Sequence, residues 1–203
     1  MKKSIDNVYV FGVGAAGSNV LINLIYSLPE VNFTAIDFDK VEMRNITAGT
    51  QPYSKSDLNR PKTQAIQKIV KMNSGVNISG INKKINSIED IKGIVSDFSN
   101  SLIIDAFDNA CSRNLFHKID NSSNVLHIGF SADLSGEATW DESYEVMQES
   151  EKDKEIDVCQ MAIARPFICG LSAIATLNIV NFIHTGEKRS SYFDKDLNIM
   201  KWN

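Results

Sequence analysis

The stretch Val8-Tyr9-Val10-Phe11-Gly12-Val13-Gly14-Ala15-Ala16-Gly17 decides the fold. Residues 8–13 are a short apolar run closed by glycines, which suits a buried parallel strand. Beyond it Val20, Leu21, Leu24, Ile25 and Leu28 recur at helical spacing until Pro29. That spacing predicts a helix, and proline ends it. Between the two, Gly12, Gly14 and Gly17 form a G-x-G-x-x-G pattern in the strand–turn–helix context that gives it meaning. Gly12 permits the tight turn, Gly14 lets backbone approach a phosphate, and Gly17 lets the helix pack on the strand. From Ala15 onward the helix start offers N–H groups and a positive dipole end to an anion. A turn that needs glycine for its shape alone would carry the same residues, so the loop by itself names no ligand.

Working outward, residues 33–36 read as a second strand ending at Asp37, 20 residues past Gly17. An acid in that place binds ribose hydroxyls, and both NAD and ATP satisfy it. Residues 40–60 are rich in Asn, Thr, Ser, Gly and Pro and have no period, which predicts a long functional loop. Pro61 suits the first turn of a helix whose face carries Ala65, Ile66, Ile69 and Val70. Strands follow at 76–81, 102–104 and 125–128, with helices at 87–97 and 110–120. Residues 137–146 alternate with aromatics like an antiparallel strand, and 147–157 form a charged surface crossover. An apolar helix at 167–183 and a short last strand within 192–202 complete the chain. Strands alternating with helices predict an α/β fold. It is a Rossmann-like, mostly parallel sheet with helices on both faces and antiparallel strands added at the C-terminal end. All of 1–203 reads as one domain, with a crossover loop at about 147–160.

Composition narrows the function. A net charge of −4 over 203 residues leaves no basic stripe for nucleic acid. The apolar helix is interrupted by Ser172, Thr176 and Asn178 and reads as buried or interfacial, so no membrane partner is expected. The polar start at residues 1–6 does not look like a signal peptide. Three cysteines do not make a disulfide framework, and a cytoplasmic setting is expected.

Residues 37–46, Asp-Phe-Asp-Lys-Val-Glu-Met-Arg-Asn-Ile, resemble the D-x-D-x-V-E-x-x-N-L stretch of ThiF/MoeB-type activating enzymes. Arg60-Pro61-Lys62 resembles the family's G-x-P-K segment. Asp105-Ala106-Phe107-Asp108-Asn109, followed by Arg113, resembles its D-x-x-D-N-x-x-x-R segment. With the glycine loop, these motifs stand in the family's order across residues 8–115. The resemblance implies a Rossmann-like adenylyltransferase that uses ATP and Mg²⁺. Its substrate would be the C-terminal carboxylate of a ubiquitin-like or other small glycine-ended protein, and it would work as a homodimer. Within that resemblance Asp37 and Asp39 serve the nucleotide, and Asn45 contacts phosphate or the substrate carboxylate. Lys62 faces the phosphates and Asp108 holds Mg²⁺ through oxygen. Arg113 holds Asp108 or touches phosphate. Asn109 either joins the nucleotide site or caps the helix after it, a role asparagine fills well.

One departure stands out. Family members often carry an arginine in N-L-x-R-Q that reaches ATP across a dimer. Here residues 45–51 are Asn-Ile-Thr-Ala-Gly-Thr-Gln, and Arg44 or Arg60 are the candidates to replace it. The gap leaves room for a catalytically reduced subunit as an alternative. An NAD-dependent oxidoreductase is a second one, although hydride transfer has no use for Lys62 and the Asp108–Asn109 pair. Cys159 follows the acidic crossover, where thioester-forming relatives place their nucleophile. Cys111 and Cys169 read as packing and core. The paired C-x-x-C zinc motifs of several family members are missing, so no structural zinc is expected. His117, His127 and His184 form no spaced ligand set and read as structural.

Overall fold

The computed structural model describes residues 4–119, 124–131, 133–145, 161, 163–194, 196 and 198–202. The crossover at about 147–160, with Cys159, lies outside them. Among the described residues eight strands form one sheet in the order β3-β2-β1-β4-β5-β6-β7-β8. The parallel part comprises β1 (Asn7–Phe11), β2 (Asn32–Asp37), β3 (Ser79–Asn82), β4 (Ser101–Asp105) and β5 (Asn124–Phe130). Then β6 (Gly136–Trp140), β7 (Ser190–Phe193) and β8 (Ile199–Trp202) continue it antiparallel. This is the Rossmann-like sheet with antiparallel C-terminal strands that the sequence predicts.

The central strands are apolar at nearly every position because both sheet faces are covered. On one face α1 (Ala15–Ser27), α3 (Lys62–Ser74) and α6 (Ala164–Thr185) pack on Val8, Val10, Leu102, Ile104 and Leu126. On the other, α4 (Ile88–Ile94) and α5 (Ala110–Phe116) pack on Tyr9, Phe11, Ile36, Ile103 and Val125. Alternate residues of one strand thus serve opposite cores. By length and composition α6 could cross a membrane, but more than half of that window is buried in this fold. Asn178 there is satisfied by the Ser191 hydroxyl at 3.0 Å.

Several boundaries differ from the sequence reading. Residues 40–60 contain a short helix α2 (Met43–Thr47) and a 3-10 turn at Lys55–Asp57. Both are held by reciprocal caps: Glu42 N–H donates to Asn45 Oδ1 at 2.8 Å, and Ser54 N–H to Asp57 Oδ2 at 3.0 Å. Elements this short carry no periodic stripe, so hydrophobic spacing could not reveal them. Helix α5 stops at Phe116 and β6 at Trp140, where a 3-10 turn at Asp141–Ser143 takes over. The tail forms two strands, β7 and β8, where one was expected. Cys111 and Cys169 are exposed, not packed, because each falls on the outer side of its helix.

Candidate functional site

Strand order reverses between β1 and β4: the chain moves outward through β2 and β3 on one side and through β5 on the other. Ligands of open α/β sheets bind at the carboxyl ends of strands at such a switch. The glycine loop leaves β1 there, and the turn carrying Asp108 leaves β4 beside it. The two loops touch, with Ala106 N–H donating to Phe11 O at 2.8 Å.

The three glycines have separable reasons. Gly12 has φ +87°, and a Cβ on it would lie 2.8 Å from Ala106 O. A Cβ on Gly17 would lie 2.0 Å from Gly12 O, so the start of α1 sits directly against the turn. Gly14, the residue before α1, has ordinary φ and nothing within 4 Å of such a Cβ. Its glycine answers to no neighbour in the protein, and the space beside it adjoins the N–H groups that open α1 at Ala15. This is room a phosphate could take.

Asp37 closes β2 and is buried. Its Oδ2 accepts from Val13 N–H at 2.9 Å and its Oδ1 from Asp39 N–H at 2.8 Å. Burial raises its pKa above the ordinary carboxylate value, although Lys62 and the two N–H groups work against that shift. Lys62 opens α3 behind Pro61, and its ammonium pairs with Asp39 Oδ2 at 2.9 Å, the lysine nearly covered and the acid half-exposed. Asp37, Asp39 and Lys62 thus form one charged group beside the glycine loop. Asn45 uses Oδ1 to cap α2, and among the described residues its amide nitrogen makes no hydrogen bond. Asp108 is exposed just beyond β4.

Two expected site residues are occupied elsewhere. Asn109 caps α5, its Oδ1 accepting from Ser112 N–H at 2.8 Å. Arg113 spends its guanidinium on Phe107 O (2.7 Å), Tyr144 Oη (2.8 Å) and Ile128 O (2.8 Å). It pins the turn that presents Asp108 without bonding Asp108 itself. Arg44 is paired with Glu42, and Arg60 is exposed.

Other residues emerge only from the folded chain. Tyr53, from the 40–60 segment, is buried and donates its hydroxyl to Val13 O at 2.6 Å. Burial first, then Asp37, Asp57 and Asp39, raise its pKa well above the ordinary phenol value, so it stays a donor. Arg165, in the first turn of α6, donates to Gly49 O, beside the position that lacks the family arginine. Behind the Asp108 turn, Asp105 Oδ1 accepts from Phe107 N–H at 3.1 Å, and its Oδ2 meets His127 Nδ1 at 2.8 Å. Burial alone would lower the His127 pKa, but hydrogen bonds to Asp105 and Asp141 outweigh it and raise it. His117 joins the same Asp141, so two of the three histidines do converge.

A sequence profile described as the ThiF family matches residues 2–202. The chain belongs to the ThiF family. Its fold is similar to the crystal structure of E. coli MccB with MccA-N7isoASN, at TM-score 0.75 and 18% identity, covering 98% of this chain and 64% of that one. E. coli MccB with ATP gives TM-score 0.73 at 18% identity, again covering 98% and 64%. SeMet PaaA gives TM-score 0.73 at 20% identity with the same coverage. This ThiF-family chain therefore spans about two thirds of the length of those proteins. A comparison with curated protein sequences finds no match.

Proposed function

We propose that this chain catalyses ATP-dependent adenylation of a C-terminal carboxylate on a small protein or peptide. What carries the proposal is that the segments bearing Gly14, Asp37 and Asp108 leave the neighbouring strands β1, β2 and β4 at one switch point, with Lys62 paired to Asp39 just past Asp37. Membership of the ThiF family and a fold shared with ATP-bound MccB support it.

In this reaction a carboxylate oxygen attacks the α-phosphorus of ATP, the bond to the bridging oxygen breaks, and pyrophosphate leaves. The N–H groups at the start of α1 bind phosphate, and Asp37 holds the ribose. Both reactants are anionic, so positive charge must be aimed where they meet. Lys62 supplies it on leaving Asp39 for the phosphate oxygens. The exposed Asp108 carboxylate suits Mg²⁺, which would neutralise phosphate charge there. Asn45, with its amide nitrogen available, binds phosphate or the incoming carboxylate. Arg165 stands where a positive side chain is otherwise missing.

The substrate in this account is a ubiquitin-like or similarly small protein ending in glycine. Cys159 then accepts the acyl group as a thioester, its sulfur displacing AMP. The chain acts as a homodimer in the cytoplasm. Leu177 is 68% exposed on α6, whereas Phe167, Ile168, Leu171 and Ile183 are covered by the chain itself. The apolar strip open to a second copy therefore centres on Leu177. Ala48 at the arginine position favours one rival, a reduced subunit that works only beside an active partner.

Calorimetry with ATP–Mg²⁺ and with NAD tests the nucleotide assignment, and tighter NAD binding would overturn it. Cys159→Ala tests the thioester. Pyrophosphate exchange should survive while any reductant-sensitive protein adduct disappears. Full downstream transfer by Cys159→Ala would make the cysteine structural.

A further inference from the structure

We infer that His117, His127 and Asp141 form a binding site for a divalent transition-metal ion of the zinc type. The proposal does not rest on the adenylation reading. The ligand atoms come from three segments: the end of α5, the middle of β5 and the turn after β6. All lie within 4.8 Å of one another. Asp141 Oδ1 is 2.8 Å from His117 Nδ1 and 2.9 Å from His127 Nε2. Zinc bonds of about 2.0–2.1 Å in a tetrahedron place ligand atoms roughly 3.3 Å apart. The two contacts to Asp141 need to open by only about half an ångström.

What surrounds His127 favours an ion over an incidental hydrogen bond. Its ring and the Asp105 carboxylate are both fully buried, with Nδ1 2.8 Å from Asp105 Oδ2. A proton on Nδ1 satisfies that contact and leaves the Nε2 lone pair facing the Asp141 oxygen. Without an ion a second proton on Nε2 bridges the two atoms, and a divalent ion would take that proton's place between them. A carboxylate behind a histidine whose other nitrogen faces the ion is the usual outer support of a protein metal site. The Tyr144 ring lies on His127 with centroids 3.9 Å apart and planes inclined by 10°. Its hydroxyl is anchored by Arg113. The His127 ring therefore cannot swing.

The other two ligands are adaptable. The side chains of His117 and Asp141 are 30% and 20% exposed, which gives an ion an entry path and leaves a coordination position open to water. The two imidazole planes are inclined by only 23°. His117, just past the end of its helix, must turn for its lone pair to meet an ion held by His127. Two imidazole nitrogens and one carboxylate oxygen suit zinc, nickel or copper, and not Mg²⁺, which prefers oxygen ligands. The charges of Asp105 and Asp141 balance a divalent ion.

The test uses the whole chain after chelator treatment, with Co²⁺ as a visible probe for zinc. The expected result is saturation at one ion per chain, with d–d bands of a nitrogen and oxygen site that Zn²⁺ abolishes. Zn²⁺ should also raise the thermal midpoint. Asp105→Asn should weaken binding by about ten- to a hundredfold, as losing an outer partner does. His117→Ala and Asp141→Asn, at partly exposed positions where the fold should persist, should weaken it further. Circular dichroism checks that each variant is folded. Failure to bind Co²⁺ would overturn the proposal, as would binding unchanged in folded His117→Ala and Asp141→Asn. Thiolate charge-transfer bands would place the ion on the cysteines and overturn it as well.

Discussion

Replacing Gly14 with alanine separates a residue kept for a ligand from one kept for the fold. Gly14 has φ −73° and ψ −147°, a negative φ that alanine can adopt at the margin of the extended region, and the new methyl would have no neighbour within 4 Å. Alanine is a poorer residue than glycine before a helix, by up to about 1 kcal/mol. Restricting the unfolded chain returns about 0.4–1 kcal/mol. The fold should therefore change by less than about 1 kcal/mol, or roughly 2–4 °C in melting temperature for a chain of this size. The nucleotide should respond differently, because the methyl stands where the phosphates approach. Forcing a methyl into a fitted contact costs on the order of 1–3 kcal/mol. At about 1.4 kcal/mol per tenfold, ATP–Mg²⁺ should bind about ten- to a hundredfold more weakly. Gly17→Ala is the contrast: its Cβ would meet Gly12 O at 2.0 Å, a backbone atom that cannot step aside, so the fold itself should suffer. Thermal melts and calorimetry on the two variants provide the assay. A Gly14→Ala chain that binds ATP as tightly as the unmodified chain would refute the phosphate assignment of the loop.

Other outcomes follow from the same geometry. Asp37→Ala should cost roughly 1.5–3 kcal/mol of nucleotide affinity through the lost ribose contact, measured by calorimetry; unchanged affinity would remove that contact. Because burial raises the Asp37 pKa above 3.8, its ionised form should be lost as pH falls through that raised value. Adenosine, whose ribose carries no phosphate, should show the weakening, and Asp37→Ala should abolish the pH response. The same shift has a stability sign: a raised acid costs the fold above its raised pKa, and the cost is relieved as pH falls through it. On α6, Leu177→Glu should turn a dimer into a folded monomer by light scattering, since an exposed change alters stability by only about 0.5 kcal/mol. A wild-type chain that is monomeric across micromolar concentrations would remove the dimer.

The glycine-loop half of the proposed site was legible because its signals are local. The spacing of Gly12, Gly14 and Gly17 between an apolar strand and an apolar-striped helix gives the turn, and Asp37 at the end of the next strand gives the acid beside it. Lys62 depended on the family motif, and only the fold shows that it rests on Asp39. Asn109 was legible as a cap from residue type alone. The segment at 40–60 hid α2, because five residues cannot display a helical period. The role of Arg113 was hidden too, since Phe107 O and Ile128 O become its partners only when β5 lies beside β4. The meeting of His117, His127 and Asp141 has the same cause. Their segments come together through sheet pairing and a 3-10 turn, and no spacing in the chain announces it. Tyr53 and Arg165 reach the loop region in the same long-range way.

Pyrophosphate exchange tests the central claim most directly. The chain is mixed with ATP, Mg²⁺, labelled pyrophosphate and a small glycine-ended protein. Label should enter ATP only when that protein is present. Lys62→Ala and Asp108→Ala should each cut the rate by about a hundredfold or more while staying folded, because both act on charge that builds at the phosphates. No exchange with any glycine-ended partner, even after a second activating subunit is added, would contradict adenylation by this chain.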